Sequence, residues 1–467
     1  MQIVIAMKEL RDAVTGLSRV VSGKNTLPIL SAVKINCEAG VASITGTNLN
    51  EYLTCNLESA TGEGNFIIDF RELKDYLKGS SKTGGVTFDI ADDRTSVNYH
   101  YNDKPVEHVF VRLPEKDWPT EPVFIAKPDT ITADALEEIM LALPLASKDD
   151  SRRTLNGILL EPGAVVASDG KQLAKFNCNT GVKSKVILPK TKVLTNGMLS
   201  NQSGTIVQSK AYVKIVSGPW EYAVKAIAGS YPQYQHVIPK DSECSITMSL
   251  KDNHYLRSAL PLLETTTEHK AVHLYATKGD VRFLSENLDS MHVKIPAEYS
   301  GEDTAVIQMN REPLLAALHL GFNKFSFNPG GVNPIMATGR GDDVFVFMSL
   351  HGGLPADQVI KAVTQDNQPK QEEATMPKEN RQRAEAMEPA DAGSSAGLKV
   401  VNNEPIDPFE ELFSEIDQLK QTGKDFISLA STLQQKAKTV QKNARRRERE
   451  FKSTRDILNK LKIVSGF

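Results

Sequence analysis

The sequence predicts an α+β fold built from three diverged copies of one unit, and three observations carry that reading. The chain has 467 residues, room for about three domains of ordinary size. Three amphipathic helical segments each lead into strand-like runs, in the same order. A later strand-and-helix pair also recurs, with Ile67 in FIIDFRELKDYL, Ile187 in VILPKTKVL and Ile307 in VIQMNREPLLAAL spaced 120 residues apart.

The opening helix of each copy follows from spacings of three and four, which place apolar residues on one helical face. In MKELRDAVTGLSRVV the stripe is Met7, Leu10, Val14, Leu17 and Val21. In ADALEEIMLALP it is Leu136, Ile139, Met140 and Leu143, and in DNHYLRSALPLL it is Leu256, Leu260 and Leu263. Strand-like pairs follow: SAVKINC with VASITGT, LNGILLE with AVVASDG, and AVHLYAT with DVRFLSE. Segments such as VTFDI, EHVFVR and DVFVFMSL close the copies. The pattern helix–strands–helix–strands implies helices layered on sheets. Proline and acidic clusters near Pro119–Pro122 and Pro239–Ser242 mark the joints. The units predicted are 1–124, 125–242 and 243–351.

Composition narrows the class. Hydrophobic content of 40% is ordinary for globular protein. No run approaches the ~18 apolar residues of a membrane span, and MQIVIAM is too short and too weakly basic for a signal peptide. A cytoplasmic protein with no membrane partner is therefore expected. Cys37, Cys55, Cys178 and Cys244 are scattered, with neither zinc nor redox spacing, and read as small hydrophobes. A net charge of −3 argues against a general polycation, yet leaves room for positive charge concentrated on one surface.

Six short motifs, in order, carry a resemblance to a known family. They are TLPIL at Thr26–Leu30, LPEKDWP at Leu113–Pro119, LNGILLE at Leu155–Glu161, SDGKQLA at Ser168–Ala174, GSYPQYQHVIP at Gly229–Pro239 and EYSG at Glu298–Gly301. Together they resemble the bacterial DNA polymerase III beta subunit, the sliding clamp, over about residues 1–351. The resemblance implies three tandem clamp-fold repeats and a head-to-tail homodimer forming a ring around duplex DNA. It implies a processivity factor in replication, without catalysis, cofactor or metal. The implied partners are DNA itself, DNA polymerase III alpha, the clamp loader and other clamp-binding proteins.

Matching positions supply the expected site residues. The client-peptide pocket would use Leu155, Ser168, Gly170, Leu173, Pro232, His236, Val237, Val332, Met348 and Leu350. Lys171 and Gln172 replace the family's His–Arg pair, so the polar rim departs from the pattern. The chain also runs on past Met348-Ser349-Leu350, where the family ends. A ring that holds DNA by topology needs only mild positive charge to attract phosphates. Candidates are Lys8, Arg11, Arg19, Lys24, Arg71, Lys74, Lys78, Arg152, Arg153, Lys190 and Lys192, with Lys190 and Lys192 opening a second-copy helix. Each is equally readable as a solvated helix face. Leu262 and Leu263 match apolar dimer-interface positions, or are helix-end core.

The tail is a separate matter. Residues 352–405 are polar and poor in large apolar side chains, as in a disordered linker. Residues 406–463 carry a heptad from Phe409 to Leu461, predicting a coiled-coil helix, or one amphipathic helix docked on the ring. Acids gather in its first part and bases in KNARRRERE, which favours antiparallel pairing. PFEELF at Pro408–Phe413 distantly resembles the Leu–Phe peptide that clamps bind. Rival readings find less support. GSSKTGG lacks the Gly before Lys and the preceding strand of a phosphate loop, and Ser31 to Lys34 with Lys82 to Gly84 lacks the third motif of penicillin-binding enzymes. A clamp-derived scaffold working mainly through the coiled coil is the other alternative.

Overall fold

Helical and alternating patterns succeed one another along the chain, and the computed structural model follows them. It describes residues 1–366 except 23–26, 39, 81–82, 102–103, 201, 267, 289–291 and 352–353. The chain divides into two compact units, Met1–Glu372 and Glu373–Phe467, and all described residues lie in the first.

Helix α1 (Met7–Leu17) turns Met7, Leu10, Val14 and Leu17 inward, as its spacing requires. Helix α2 (Phe70–Gly79) starts at Asp69, whose carboxylate accepts the Arg71 and Glu72 N–H groups. Helices α3 (Ala133–Ala142), α4 (Leu250–Ala259) and α5 (Arg311–His319) are capped likewise by Thr132, Ser249 and Asn310. The second copy lacks its second helix. Lys190 and Lys192 lead only into a 3-10 turn at Leu194–Asn196. Thr191 and Thr195 bond to nearby backbone there, and Gly197 at φ +72° ends the turn.

Four antiparallel sheets back the helices. A five-stranded sheet runs Thr61–Gly62, Gln2–Ala6, Gly85–Ile90, Arg94–Tyr101, Lys104–Val111. An eight-stranded sheet runs Asp129–Ile131, Gly204–Gln208, Tyr212–Ser217, Trp220–Lys225, then Glu51–Leu57, Val41–Thr47, Ala32–Glu38, Gly64–Asp69. A nine-stranded sheet runs Val186–Pro189, Gly157–Glu161, Ala164–Ser168, Gln172–Asn177, then Val344–Met348, Pro334–Thr338, Lys324–Phe327, Cys244–Met248, Ala297–Ser300. The fourth runs His292–Ile295, Asp280–Leu284, Ala271–Thr277, Ala305–Asn310.

The two largest sheets are each a fusion of half-sheets from consecutive copies. Each copy contributes a leading half-sheet, made of its first and last strands, and a trailing half-sheet from its middle strands. Trp220–Lys225 joins Glu51–Leu57 with Glu221 opposite Thr54, and Val344–Met348 joins Gln172–Asn177 with Val344 opposite Lys175. The first copy's leading half-sheet and the third copy's trailing half-sheet have no such neighbour within the described residues.

Three backbone hydrogen bonds fix the repeat. Leu113 N–H donates to Ile67 O, Ile227 N–H to Ile187 O and Leu350 N–H to Gln308 O, at 2.9, 2.9 and 2.8 Å. These positions start three straps, each crossing the sheet face turned away from the helices. The constant isoleucine spacing is therefore one residue out in the third copy. Gln308 is the true counterpart of Ile67 and Ile187, while Ile307 faces the helix-side core. A one-residue step flips a strand side chain to the other face.

The third strap also corrects the tail boundary. Residues 356–366, expected as linker, form helix α6 (Ala356–Asp366). Val359 and Val363 recur at helical spacing and pack on Tyr275 and Leu284, giving this short piece enough apolar burial to order. The rest of the linker, the heptad at 406–463, KNARRRERE and PFEELF lie outside the described residues.

Candidate functional site

A mainly apolar concave surface lies where the second and third copies fuse. Val344–Met348 alternates, so Phe345 and Phe347 point into the helix-side core while Val346 and Met348 face the strap. Val346, Leu173, Leu159, Val166, Ile187 and Tyr234 form a separate buried apolar cluster under the second strap. Above it opens a cavity of about 190 Å³.

Of the expected pocket residues, Leu155, Ser168, Gly170, Leu173, Pro232, Val237 and Met348 line that cavity together. Val237 and Met348 keep 49% and 40% of their surface, so apolar side chains are presented to an incoming group. His236 is an exposed residue of the strap's 3-10 turn, outside the wall. Val332 is exposed before strand Pro334–Thr338, and Leu350 is committed to the Gln308 backbone contact. Motif matching missed Tyr231, Tyr234, Val346 and Phe347, which also line the cavity. Period-2 alternation in VFVFM would have found Val346.

The SDGKQ turn forms one wall. Asp169 accepts the Lys171 and Gln172 N–H groups at 2.8 and 2.9 Å, and the Ser168 hydroxyl donates to Gln172 O at 2.8 Å. Gly170, at φ +86°, lies under Arg152, whose Nη1 would be 2.2 Å from any Cβ placed there. Lys171 and Gln172, from the same turn, also line the cavity. Opposite, the Tyr234 hydroxyl bonds Glu161, which also pairs with Lys185 at 3.1 Å. Burial and that carboxylate push the Tyr234 phenol up, keeping it a neutral donor.

A second tie locks the same two copies together. Arg340 donates to Glu138 and Asp343, the latter at 3.0 Å, and lies 5.1 Å above the Phe176 ring. Asp343 in turn accepts the Asn177 N–H at 2.7 Å. Burial raises the Glu138 carboxyl, partly offset by Arg340.

The expected basic residues divide by what they already hold. Lys8, Arg71, Lys74 and Lys78 are exposed on α1 and α2, with Asp75 pairing Lys78 at 2.6 Å and Arg71 at 4.0 Å. Arg11 is half-buried and caps α2, donating to Leu77 O and Ser80 O. Arg19 reaches Asn196 in the second copy at 2.7 Å. Arg152 and Arg153 are exposed, as are Lys190 and Lys192, and Lys24 lies outside the described residues. Burial and the neighbouring Lys148 lower the Lys190 ammonium below the ordinary lysine value. Leu262 and Leu263 part company: Leu262 is 64% exposed, whereas Leu263 is 2% exposed and core.

Other chemistries find little here. Among the described residues no group of three His, Cys, Asp or Glu could hold a metal, and no helix is long and apolar enough to cross a membrane. The cysteines are free, with burial pushing the Cys55 and Cys178 thiols up to about 12.

Residues 1–120 match the family model described as DNA polymerase III beta subunit, N-terminal domain. The sequence is 26% identical over 295 residues to the beta sliding clamp of Buchnera aphidicola subsp. Acyrthosiphon pisum, covering 58% of this chain and 76% of that relative. The fold is similar to the DNA polymerase sliding clamp of Bacillus subtilis (TM-score 0.67, 20% identity, 75% of this chain and 99% of that chain). It is also similar to a Pseudomonas aeruginosa sliding clamp solved bound to griselimycin (TM-score 0.63, 22% identity, 75% of this chain and 100% of that chain).

Proposed function

This chain belongs to the beta sliding clamp family, and on that premise we propose that it is a DNA sliding clamp. Two copies join head to tail into a ring around duplex DNA. The ring tethers DNA polymerase III alpha, the clamp loader and other clients, working in the cytoplasm without catalysing a reaction itself.

One observation supports this most. Two of the three possible fusions between half-sheets are made inside the chain, and among the described residues nothing pairs with either end of the third. A second copy supplies what each end lacks, and head-to-tail contacts that close by rotation make a ring. Carried through the repeat, the register of the closed fusions sets Glu107 of one copy opposite His292 of the other. Leu262, exposed near that edge of the third copy, then gains apolar cover on assembly. Unpaired strand edges are otherwise an aggregation hazard.

In this reading the units are 1–124, 125–242 and 243–351. The cavity between the second and third takes a client peptide, with Leu173, Val237 and Met348 receiving its apolar anchors and His236, Val332 and Leu350 flanking them. Each buried anchor contributes about 1.5–3 kcal/mol, so two supply about 3–6 kcal/mol before ordering costs, and a micromolar complex of about 8 kcal/mol needs further contacts along the peptide. Lys8, Arg71, Lys74, Lys78, Arg152, Arg153, Lys190 and Lys192 attract phosphates without fixing register, while Arg11 and Arg19 mainly hold the framework. Lys24 completes the set.

The test is topological. Loaded by a clamp loader onto nicked circular DNA, the protein should co-elute with the circle and be released when the circle is linearised. Retention on linear DNA with free ends, or no retention on the circle, would count against a ring and favour a scaffold.

A further inference from the structure

The third strap ends differently from the other two. The first and second straps run on into the next copy, whereas the third, after Leu350, continues as α6. α6 covers the same part of its copy that the second strap covers: Leu284, under α6, occupies the repeat position of Val166, under the second strap. The counterpart positions follow from the Leu113, Ile227 and Leu350 hydrogen bonds and the strand registers.

The leading half-sheets repeat as faithfully. Counting back from the same anchors, Val109, Ala223 and Val346 share one position, and Val111, Lys225 and Met348 another. Val346 is 1% and Ala223 5% exposed at the closed junctions, Val346 packing on Leu173 and Tyr234, whereas Met348 keeps 40% of its surface and Lys225 is exposed at the rim of those junctions. Val109 is 49% and Val111 71% exposed, two apolar side chains on one face of Lys104–Val111, whose outer edge has no strand partner among the described residues. Leu354, at the entry to α6, is 38% exposed. One chain therefore carries the two halves of an apolar contact, Val109 with Val111 on its first copy and Leu354 with α6 after its third.

We propose that α6, with Leu354, is a clasp across the subunit junction, packing on Val109 and Val111 of a second copy. The inference rests on the head-to-tail reading and adds to it an element beyond the three clamp units. In the closed ring the partner's Val109 takes the place that Val346 takes beside the second strap. That position is buried between sheet and strap, so Leu354 and the exposed side of α6 become interface. Continuity with the two internal junctions commits the occupant to a second copy of this chain.

The full-length protein tests this with two cysteine pairs and one double variant. Leu354→Cys with Val111→Cys should be joined between copies by a short bismaleimide, against a background set by the largely buried native cysteines. Val109→Ser with Val111→Ser should raise the dimer dissociation constant roughly 10- to 100-fold by removing apolar burial, with an unchanged circular dichroism spectrum. Glu107→Cys with His292→Cys reports the strand junction alone. If that pair joins while Leu354 and Val111 do not, and the double serine variant dimerises normally, the clasp is wrong and the ring stands. If neither pair joins, the ring reading fails and the clasp falls with it.

Discussion

At the scale of the residue, Asp280 and Arg282 make the sharpest electrostatic case. They sit on the Thr277–Asp280 hairpin, with Arg282 4% exposed and bonded to both carboxylate oxygens of Asp280. Burial raises the Asp280 carboxyl, but hydrogen bonds from Arg282 and Lys294 outweigh it, and its pKa falls below the ordinary aspartate value. A depressed folded-state pKa contributes stability above the unfolded value and loses it as pH falls through the folded one. Asp280→Asn should therefore cost about 1–3 kcal/mol at neutral pH, because a buried guanidinium loses one of its charged partners. In urea unfolding, the gap to wild type should close in acid below the aspartate range. A gap independent of pH would contradict the ion pair's role. The cavity residues were partly legible in the sequence. Ser168, Gly170 and Leu173 lie in one motif whose turn chemistry fixes their geometry, so matching the motif located the wall. Val332 and Leu350 lie at loop and strap positions whose side-chain direction depends on distant backbone contacts, which no local pattern encodes. Leu263 and Leu262 are neighbours of the same type, and only packing separates them.

At the scale of the element, apolar periodicity carried the reading of the helices, and capping, seen only in the structure, fixes where they start. Asp69, Thr132, Ser249 and Asn310 each precede a predicted helix and each accepts a backbone N–H at its start. Asp69→Ala should destabilise the protein by about 1 kcal/mol through α2, read as a lower denaturation midpoint. An unchanged midpoint would mean that tertiary contacts alone hold the helix. VILPKTKVL was misread for a physical reason. Its apolar residues suit a helix, but Thr191, Thr195 and Gly197 favour local backbone bonding and a left-handed stop. α6 was missed for the opposite reason. Its buried face is only Val359 and Val363, with Ile360 partly buried beside them, and it packs on Tyr275 and Leu284 beneath it.

At the scale of the molecule, the governing fact is an imbalance. Among the described residues two inter-copy sheet fusions are made, and the ring proposed above requires a third. The triplication was visible in the sequence because each copy repeats helix and strand periods in order. Strand partners were not, since residues as distant as Glu51 and Val224 pair across copies. A chain carrying Glu107→Cys and His292→Cys tests this account most directly. Antiparallel neighbours hold their Cα atoms about 4.5–5.5 Å apart, within disulfide range. Oxidised in solution and run under denaturing, non-reducing conditions, the chain should migrate as a covalent dimer closed by two bonds, reverting to monomer on reduction. A species that stays monomeric under oxidation, at concentrations where native protein is dimeric, would contradict the ring.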